Sequence, residues 1–277
     1  MTEARRRSYL EEGYAIRRGL VPRDLIEELN ERFDCVAAGE VEAPNMQVVR
    51  NVEIAKGLVE PASAAHGISK VNFFHADPVF RRYTQCPALL DAVEELIGPD
   101  ILAMNSMYLN KPPNVDGRHP MHQDLLYFPF RPADSILGAW TALEPITREN
   151  GCLVMLPGSH RGELLEHDYP DWEHQNFLFV GVKGVDLGNR IHLEMEPGDT
   201  VFFHSLMIHG SGFNRTQGLR RAIAVHFAST HCEDIWAGST EFVPGIDPRL
   251  DYRVVRGRDP HGYARERLES GAVRPDG

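Results

Sequence analysis

Two imidazoles and a carboxylate are the residue types with which this chain could build a metal centre: His122 and Asp124, two apart, and His209 far downstream. In an extended segment residues i and i+2 project to the same side, so a strand here presents a nitrogen and an oxygen to one point. A histidine returned from a distant strand completes a triangle on one face of an ion. That is the facial triad of non-haem Fe(II) oxygenases, which leaves three coordination positions open. The spacing alone is weak. With 13 histidines and 40 acidic residues, about two His-x-Asp/Glu matches arise by chance. The chain has four, at His75-Ala76-Asp77, His122-Gln123-Asp124, His192-Leu193-Glu194 and His231-Cys232-Glu233. Context separates them. His75 precedes a helix expected from Pro78, His192 opens a strand whose acid runs into a turn, and His231 follows the last core strand. These three are assigned ordinary surface or hydrogen-bonding roles. His209 follows a turn (Glu196 to Asp199), a strand ending at His204, and Ile208, which is how a roll returns a ligand.

An anion partner accompanies the triad. Arg220 lies eleven residues after His209, and Ser211 two residues after it. A guanidinium fork takes a carboxylate bidentately, and a hydroxyl can join it. By default an arginine beside Arg221 is a surface residue, but the spacing from His209 argues for the site. A metal with open positions and a nearby arginine suits a small acid that chelates iron at one end and pairs with arginine at the other. 2-Oxoglutarate meets that description. Two rival classes differ in what they need. A cupin-like isomerase would use the same ligands without Arg220, and a metal-free binding roll would tolerate the loss of His122 or Asp124.

The elements that must position these residues are mostly strands. From Ile101 the chain runs in short apolar stretches bounded by turn residues: Ile101–Leu109, Ser135–Leu143, Cys152–Leu156, Ile191–Met195, Thr200–His204 and Arg221–Ala228,. Many short strands with Gly/Pro punctuation predict a mainly β fold, a jelly roll or sandwich, with flanking helices. The helices are expected at 22–38, where Leu25, Ile26, Leu29, Phe33 and Val36 keep helical spacing, and at 78–83 and 87–97,. An insertion at 161–189 carries Tyr169, Trp172, Phe177 and Phe179 and reads as a lid or binding loop. These aromatics are favoured as pocket residues, whereas Tyr127, Phe128 and Phe130 read as core. The whole chain, 1–277, is read as one domain: a mixed N-terminal layer over 1–100, a core over 101–230 and a peripheral tail over 244–277.

Composition narrows the class further. A net charge of −11 argues against a nucleic-acid binder,. No apolar run reaches the roughly eighteen residues of a membrane span, and Arg5-Arg6-Arg7 leads into polar sequence, unlike a secretory signal. The four cysteines are scattered without a CxxC pair, so a reduced, cytoplasmic protein is expected,. Only four lysines accompany 25 arginines, which singles out each lysine.

Several segments together are similar to the phytanoyl-CoA dioxygenase family. They are His119 to Asp134 (HPMHQDLLYFPFRPAD), Ala139 to Ala142 (AWTA), Asn150 to Val154 (NGCLV) and Leu156 to His160 (LPGSH). His167 to Pro170 (HDYP), Gly198 to His204 (GDTVFFH) and Ile208 to Gly212 (IHGSG), with Asn214, Thr216 to Gly218 and Arg220, match as well. Weaker similarity extends back to Tyr9, and the tail beyond Val243 lies outside it. The resemblance implies a double-stranded β-helix of cupin-like form, with Fe(II) on His122, Asp124 and His209 and O2 as co-reactant. It also implies 2-oxoglutarate held by Arg220 and Ser211, and Lys70, Met104, Gln123 and Trp140 lining the cosubstrate site. A carboxylate at position 124 argues against the related halogenases, which carry a small residue there. Family members in secondary metabolism cyclise or epimerise anthracyclines such as nogalamycin. Tailoring of a small hydrophobic or polycyclic compound is therefore the favoured expectation, and α-hydroxylation of a branched acyl-CoA the alternative. No peroxisome-targeting segment is expected ahead of the domain, and oligomeric state is left open.

Overall fold

The computed structural model describes residues 3–42, 45–172, 179–236 and 252–264. Two antiparallel sheets form its core. The larger has eight strands, in the order β1 (Tyr14–Arg17), β12 (Thr200–His204), β7 (Ile136–Ala142), β14 (Arg220–Ser229), β4 (Ile101–Lys111), β3 (Ile68–Asn72), β2 (Gln47–Arg50). Its eighth strand, β16 (Arg253–Arg256), pairs with the first residues of β4. The smaller sheet runs β11 (Ile191–Leu193), β8 (Leu153–Met155), β13 (His209–Ser211), β5 (His119–His122). Two ribbons complete the set, β9 (His167–Asp168) with β10 (Gly181–Val182) and β6 (Phe130–Arg131) with β15 (Glu233–Asp234). Trp140, Ala222 and Ala224 of the larger sheet share one apolar cluster with Leu153, Met155 and Leu193 of the smaller. This is the expected jelly roll, and all six expected strands are present with ends within two residues.

The central strand shows why the sequence folds this way. β14 is buried at every position, as a strand covered on both faces must be. Ile223, Val225 and Phe227 point to a helical layer, and the alternate residues point into the roll,. Among the described residues the α-helices are α1 (Glu3–Glu12), α2 (Arg23–Ala38), the single turns α3 (Val52–Ala55) and α4 (Arg81–Thr84), and α5 (Pro87–Ile97). α2 buries Leu25, Ile26, Leu29, Phe33 and Val36, and Phe33 stacks on Tyr108 of β4 with ring centroids 4.3 Å apart. Gly39 ends α2 at φ 73°, where its N–H reaches the last carbonyls; a glycine takes that left-handed cap at least cost. Among the described residues no helix is long and apolar enough to cross a membrane.

Three features depart from the sequence reading. β1, β2 and β3 have no strong alternation and take their strand form from the sheet they join. Part of the expected peripheral tail is built in: β16 extends the main sheet, Tyr252 is buried, and Arg256 pairs with Asp91 and Glu94 of α5. A short charged edge strand carries little local signal, so only its pairing reveals it. His75, assigned a surface or hydrogen-bonding role, is 1% exposed, and neither ring nitrogen has a hydrogen-bond partner among the described residues. Burial, with Arg253 and Arg81 nearby, pushes its pKa down to about 3. The unfolded chain then takes up a proton below about pH 6.5 that the native state refuses, so stability falls as pH drops from there toward 3. His75→Leu is expected to flatten this slope by about one proton per molecule at pH 5, measured from urea midpoints between pH 7 and 4.

Candidate metal and cosubstrate site

β5 ends at His122, and the chain passes directly into a 3-10 turn over Asp124–Tyr127. The strand expected to carry both residues stops between them, so the turn aims Asp124. β13 runs beside β5 with His209 opposite His122, and their ring centroids are 4.3 Å apart. Asp124 Oδ1 stands 3.2 Å from His122 Nε2 and 3.7 Å from His209 Nε2. One ligand atom from each of the three buried side chains lies within 4.8 Å of the others.

Outer partners settle which way each group faces. His122 Nδ1 lies 2.8 Å from Pro120 O, and His209 Nδ1 lies 3.0 Å from Met207 O. A carbonyl only accepts, so each Nδ1 carries the proton and each Nε2 turns a lone pair inward. The second carboxylate oxygen of Asp124 accepts from His226 Nε2 at 2.8 Å, which holds the carboxylate's rotation and leaves Oδ1 for the centre. Three lone pairs face one another in a buried space, an arrangement that repels itself unless a cation sits among them. Two imidazole nitrogens and one carboxylate oxygen form a donor set that fits Fe(II). Burial by itself would raise the Asp124 carboxyl, but His226, which donates to Oδ2, holds it well below the usual range. Burial also brings His209 down to about 4, against the pull of Asp124, so at neutral pH the imidazole is free to ligate.

A cavity of about 120 Å³ joins the triad to a cluster of cations. On this face of β14 the residues between Arg220 and His226 are Ala222 and Ala224, too small to fill the roll. Arg220 is 3% exposed, and its Nε and Nη1 have no hydrogen-bond partner among the described residues. Burial brings its guanidinium down to about 10, so it remains charged at neutral pH. Its guanidinium carbon lies 5.6 Å from the centre of the Trp140 ring. Opposite it on β4 stands Lys111, whose Nζ donates to Ser211 Oγ at 2.8 Å. Burial and the neighbouring Arg220 hold Lys111 well below the ordinary lysine range. A buried guanidinium with no carboxylate in ion-pair contact among the described residues is costly, and a ligand carboxylate fits it.

Of the residues expected at the site, His122, Asp124, His209, Arg220, Ser211, Lys70 and Trp140 line this one cavity. Lys70 Nζ sits 4.9 Å from the Phe179 ring, and burial brings it down to about 8. Met104 and Gln123 do not line it. Pairing between β4 and β14 passes from Asn105 to Ala103 and skips Met104, which packs instead with Phe73, Leu102 and Phe128. Met107 lines the cavity in its place, because strand alternation cannot be counted through such an irregularity. Gln123 falls between two residues that face the centre. Its amide nitrogen donates to Glu163 O and Leu206 O, and its oxygen accepts from Leu165 N–H. It anchors the 161–189 insertion to the metal-binding segment.

The insertion supplies Trp172 and Phe179 to the cavity wall, while Tyr169 is 37% exposed elsewhere; Phe177 lies outside the described residues. Phe128 and Phe130 are core, as expected. Sequence reasoning missed His226, Lys111 and His119, whose ring stands 4.2 Å from that of His122. The signal for His226 was available, since it shares the parity of Arg220, Ala222 and Ala224 on one strand. Lys111 stood out only as one of four lysines, and His119 only as the first residue of the HPMHQD segment.

Comparison with known proteins agrees with this geometry. The family model described as Phytanoyl-CoA dioxygenase (PhyH) matches residues 9–222. A probable phytanoyl-CoA dioxygenase of Caenorhabditis elegans is 47% identical over 238 residues, covering 83% of this chain and 76% of that protein. The peroxisomal phytanoyl-CoA dioxygenase of Homo sapiens is 47% identical over 240 residues, covering 85% and 70%. Among solved structures, the epimerase SnoN, in complex with Fe3+, alpha ketoglutarate and nogalamycin RO, superposes with a TM-score of 0.62 at 21% identity, covering 98% of this chain and 94% of that one. The carbocyclase SnoK from nogalamycin biosynthesis gives 0.63 at 18% identity, covering 89% and 92%. At these identities the structures speak for the shared fold. Near-half identity across most of the length goes further: the chain belongs to the phytanoyl-CoA dioxygenase (PhyH) family and is an iron- and 2-oxoglutarate-dependent dioxygenase.

Proposed function

We propose that the protein hydroxylates a C–H bond of an acyl-CoA thioester, close to its carbonyl. The observation that carries the oxygenase chemistry is three inward lone pairs opposite an unpaired buried guanidinium in one cavity. Fe(II) with 2-oxoglutarate and O2 supplies the oxidising power, leaving succinate and CO2 as co-products. His122, Asp124 and His209 would hold the metal, with His226 occupying the second carboxylate oxygen of Asp124. Arg220 and Ser211 would orient the cosubstrate through its distal carboxylate. Trp140, Met107 and Leu153 keep water from the reacting region, and Phe179 and Trp172 wall the side from which substrate approaches. Geometry then selects the C–H bond.

The acyl-CoA reading draws support from the 47% identity to phytanoyl-CoA dioxygenases. One observation favours the second reading, tailoring of a polycyclic compound. At the mouth Arg118 is spent on Asp116, donating from Nε at 2.9 Å and Nη2 at 2.6 Å, and it lies between the rings of Trp172 and Phe213. It offers no free charge to CoA phosphates. A cytoplasmic location belongs to the proposal and is supported by four free cysteines,.

Purified enzyme with Fe(II), 2-oxoglutarate and O2 should convert straight- or branched-chain acyl-CoAs to products one oxygen heavier, with stoichiometric succinate, read by mass spectrometry. Turnover of aromatic polyketides with acyl-CoAs inert would replace this reading with the second. Absence of succinate release under all conditions would remove both.

A further inference from the structure

Lys111 takes no part in the reading above, yet its surroundings are arranged to deliver it. Its alkyl stem runs through a slot between two glycines. A Cβ on Gly117 would stand 3.0 Å from Lys111 Cγ, and one on Gly151 would stand 3.0 Å from Lys111 Cδ and 2.6 Å from Gly212 O. At the end of the slot Nζ donates to Ser211 Oγ at 2.8 Å and to Gly212 O at 2.5 Å. Both acceptors are neutral. No carboxylate forms an ion pair with Lys111 or with Arg220, its neighbour across the ladder, among the described residues, and both line the cavity. Two adjacent buried cations repel each other, so a fold that needed only a tether for Ser211 would do better with a neutral donor.

We propose that Lys111 is a second cationic determinant of the cosubstrate pocket, acting on the distal carboxylate both by its charge and through Ser211. Because Ser211 Oγ accepts from Lys111, its own O–H is free to donate to a ligand oxygen. An arriving carboxylate favours the charged form of Lys111, and ammonium and guanidinium together then match an anion better than either alone, selecting 2-oxo acids that end in a second carboxylate. This rests on the 2-oxoglutarate reading of the site.

The test uses intact protein loaded with Mn(II) under anaerobic conditions, with binding of 2-oxoglutarate and of 2-oxopentanoate followed by calorimetry. The latter has the same chain length and no distal carboxylate. Lys111→Met keeps the stem and removes the charge. It is expected to weaken 2-oxoglutarate binding about 10- to 100-fold, with Mn(II) affinity and 2-oxopentanoate binding unchanged. Ser211→Ala should cost less alone, and the double variant should lose less than the product of the two single effects. Wild-type 2-oxoglutarate affinity in Lys111→Met, or an equal loss for both acids, would overturn the proposal. Failure of the wild-type protein to bind 2-oxoglutarate would instead overturn the cosubstrate reading beneath it.

Discussion

Replacing Arg220 by methionine should make the ligand-free protein more stable while nearly abolishing cosubstrate binding. The two effects share one cause. Arg220 is almost wholly buried, and two of its nitrogens lack partners among the described residues. Burying a charge without a counter-ion costs free energy in the empty fold. A methionine of similar length removes that cost, and the melting temperature should rise by about 2 °C or more. The same unpaired guanidinium is what a carboxylate would find preorganised. Truncating one partner of a buried charged pair costs about 2–5 kcal/mol, so 2-oxoglutarate affinity should fall about 30-fold or more, with Mn(II) affinity unaffected. Thermal melts and titrations of the same preparations would decide it. A variant that is less stable and binds 2-oxoglutarate normally would make Arg220 a structural residue.

Asp124→Asn should lose the metal, because His226 would claim the wrong atom. In the native arrangement His226 Nε2–H donates to Asp124 Oδ2, and Oδ1 faces His122 and His209. An asparagine in that place satisfies the Nε2–H of His226 by offering it the amide oxygen. The amide nitrogen, which has no lone pair to give, then points at the metal position. Metal affinity should fall about 100-fold or more, past the tenfold to hundredfold loss typical when only a supporting partner is removed. Adding His226→Ala should partly restore binding, since the amide can then turn its oxygen inward. If the double variant binds no better than Asp124→Asn alone, His226 does not control the carboxylate's orientation.

Much of this site could be read before any coordinates. His122, Asp124, His209 and Arg220 each lie in a segment where chemistry-bearing residues break a strand pattern, and the roll expected from short apolar stretches supplies their meeting point. The choice between two methionines could not be read. Met104 and Met107 are both apolar strand residues on β4, the first buried and the second half-buried, and the pairing irregularity that separates their roles comes from contact with β14. Gln123 likewise takes its identity from the insertion it holds, forty residues away in sequence.

The sequence by itself determined the chemistry on offer and the kind of scaffold that could present it, since ligand types, strand periodicity and turn residues are local properties. Only the tertiary structure decided which cations face the cavity without a counter-charge. Lys111 is one of four lysines without an assigned role until β14 sets Arg220 opposite it and β13 brings Ser211 within a hydrogen bond. Electrostatic isolation belongs to everything that surrounds a group after folding, so no stretch of chain encodes it alone.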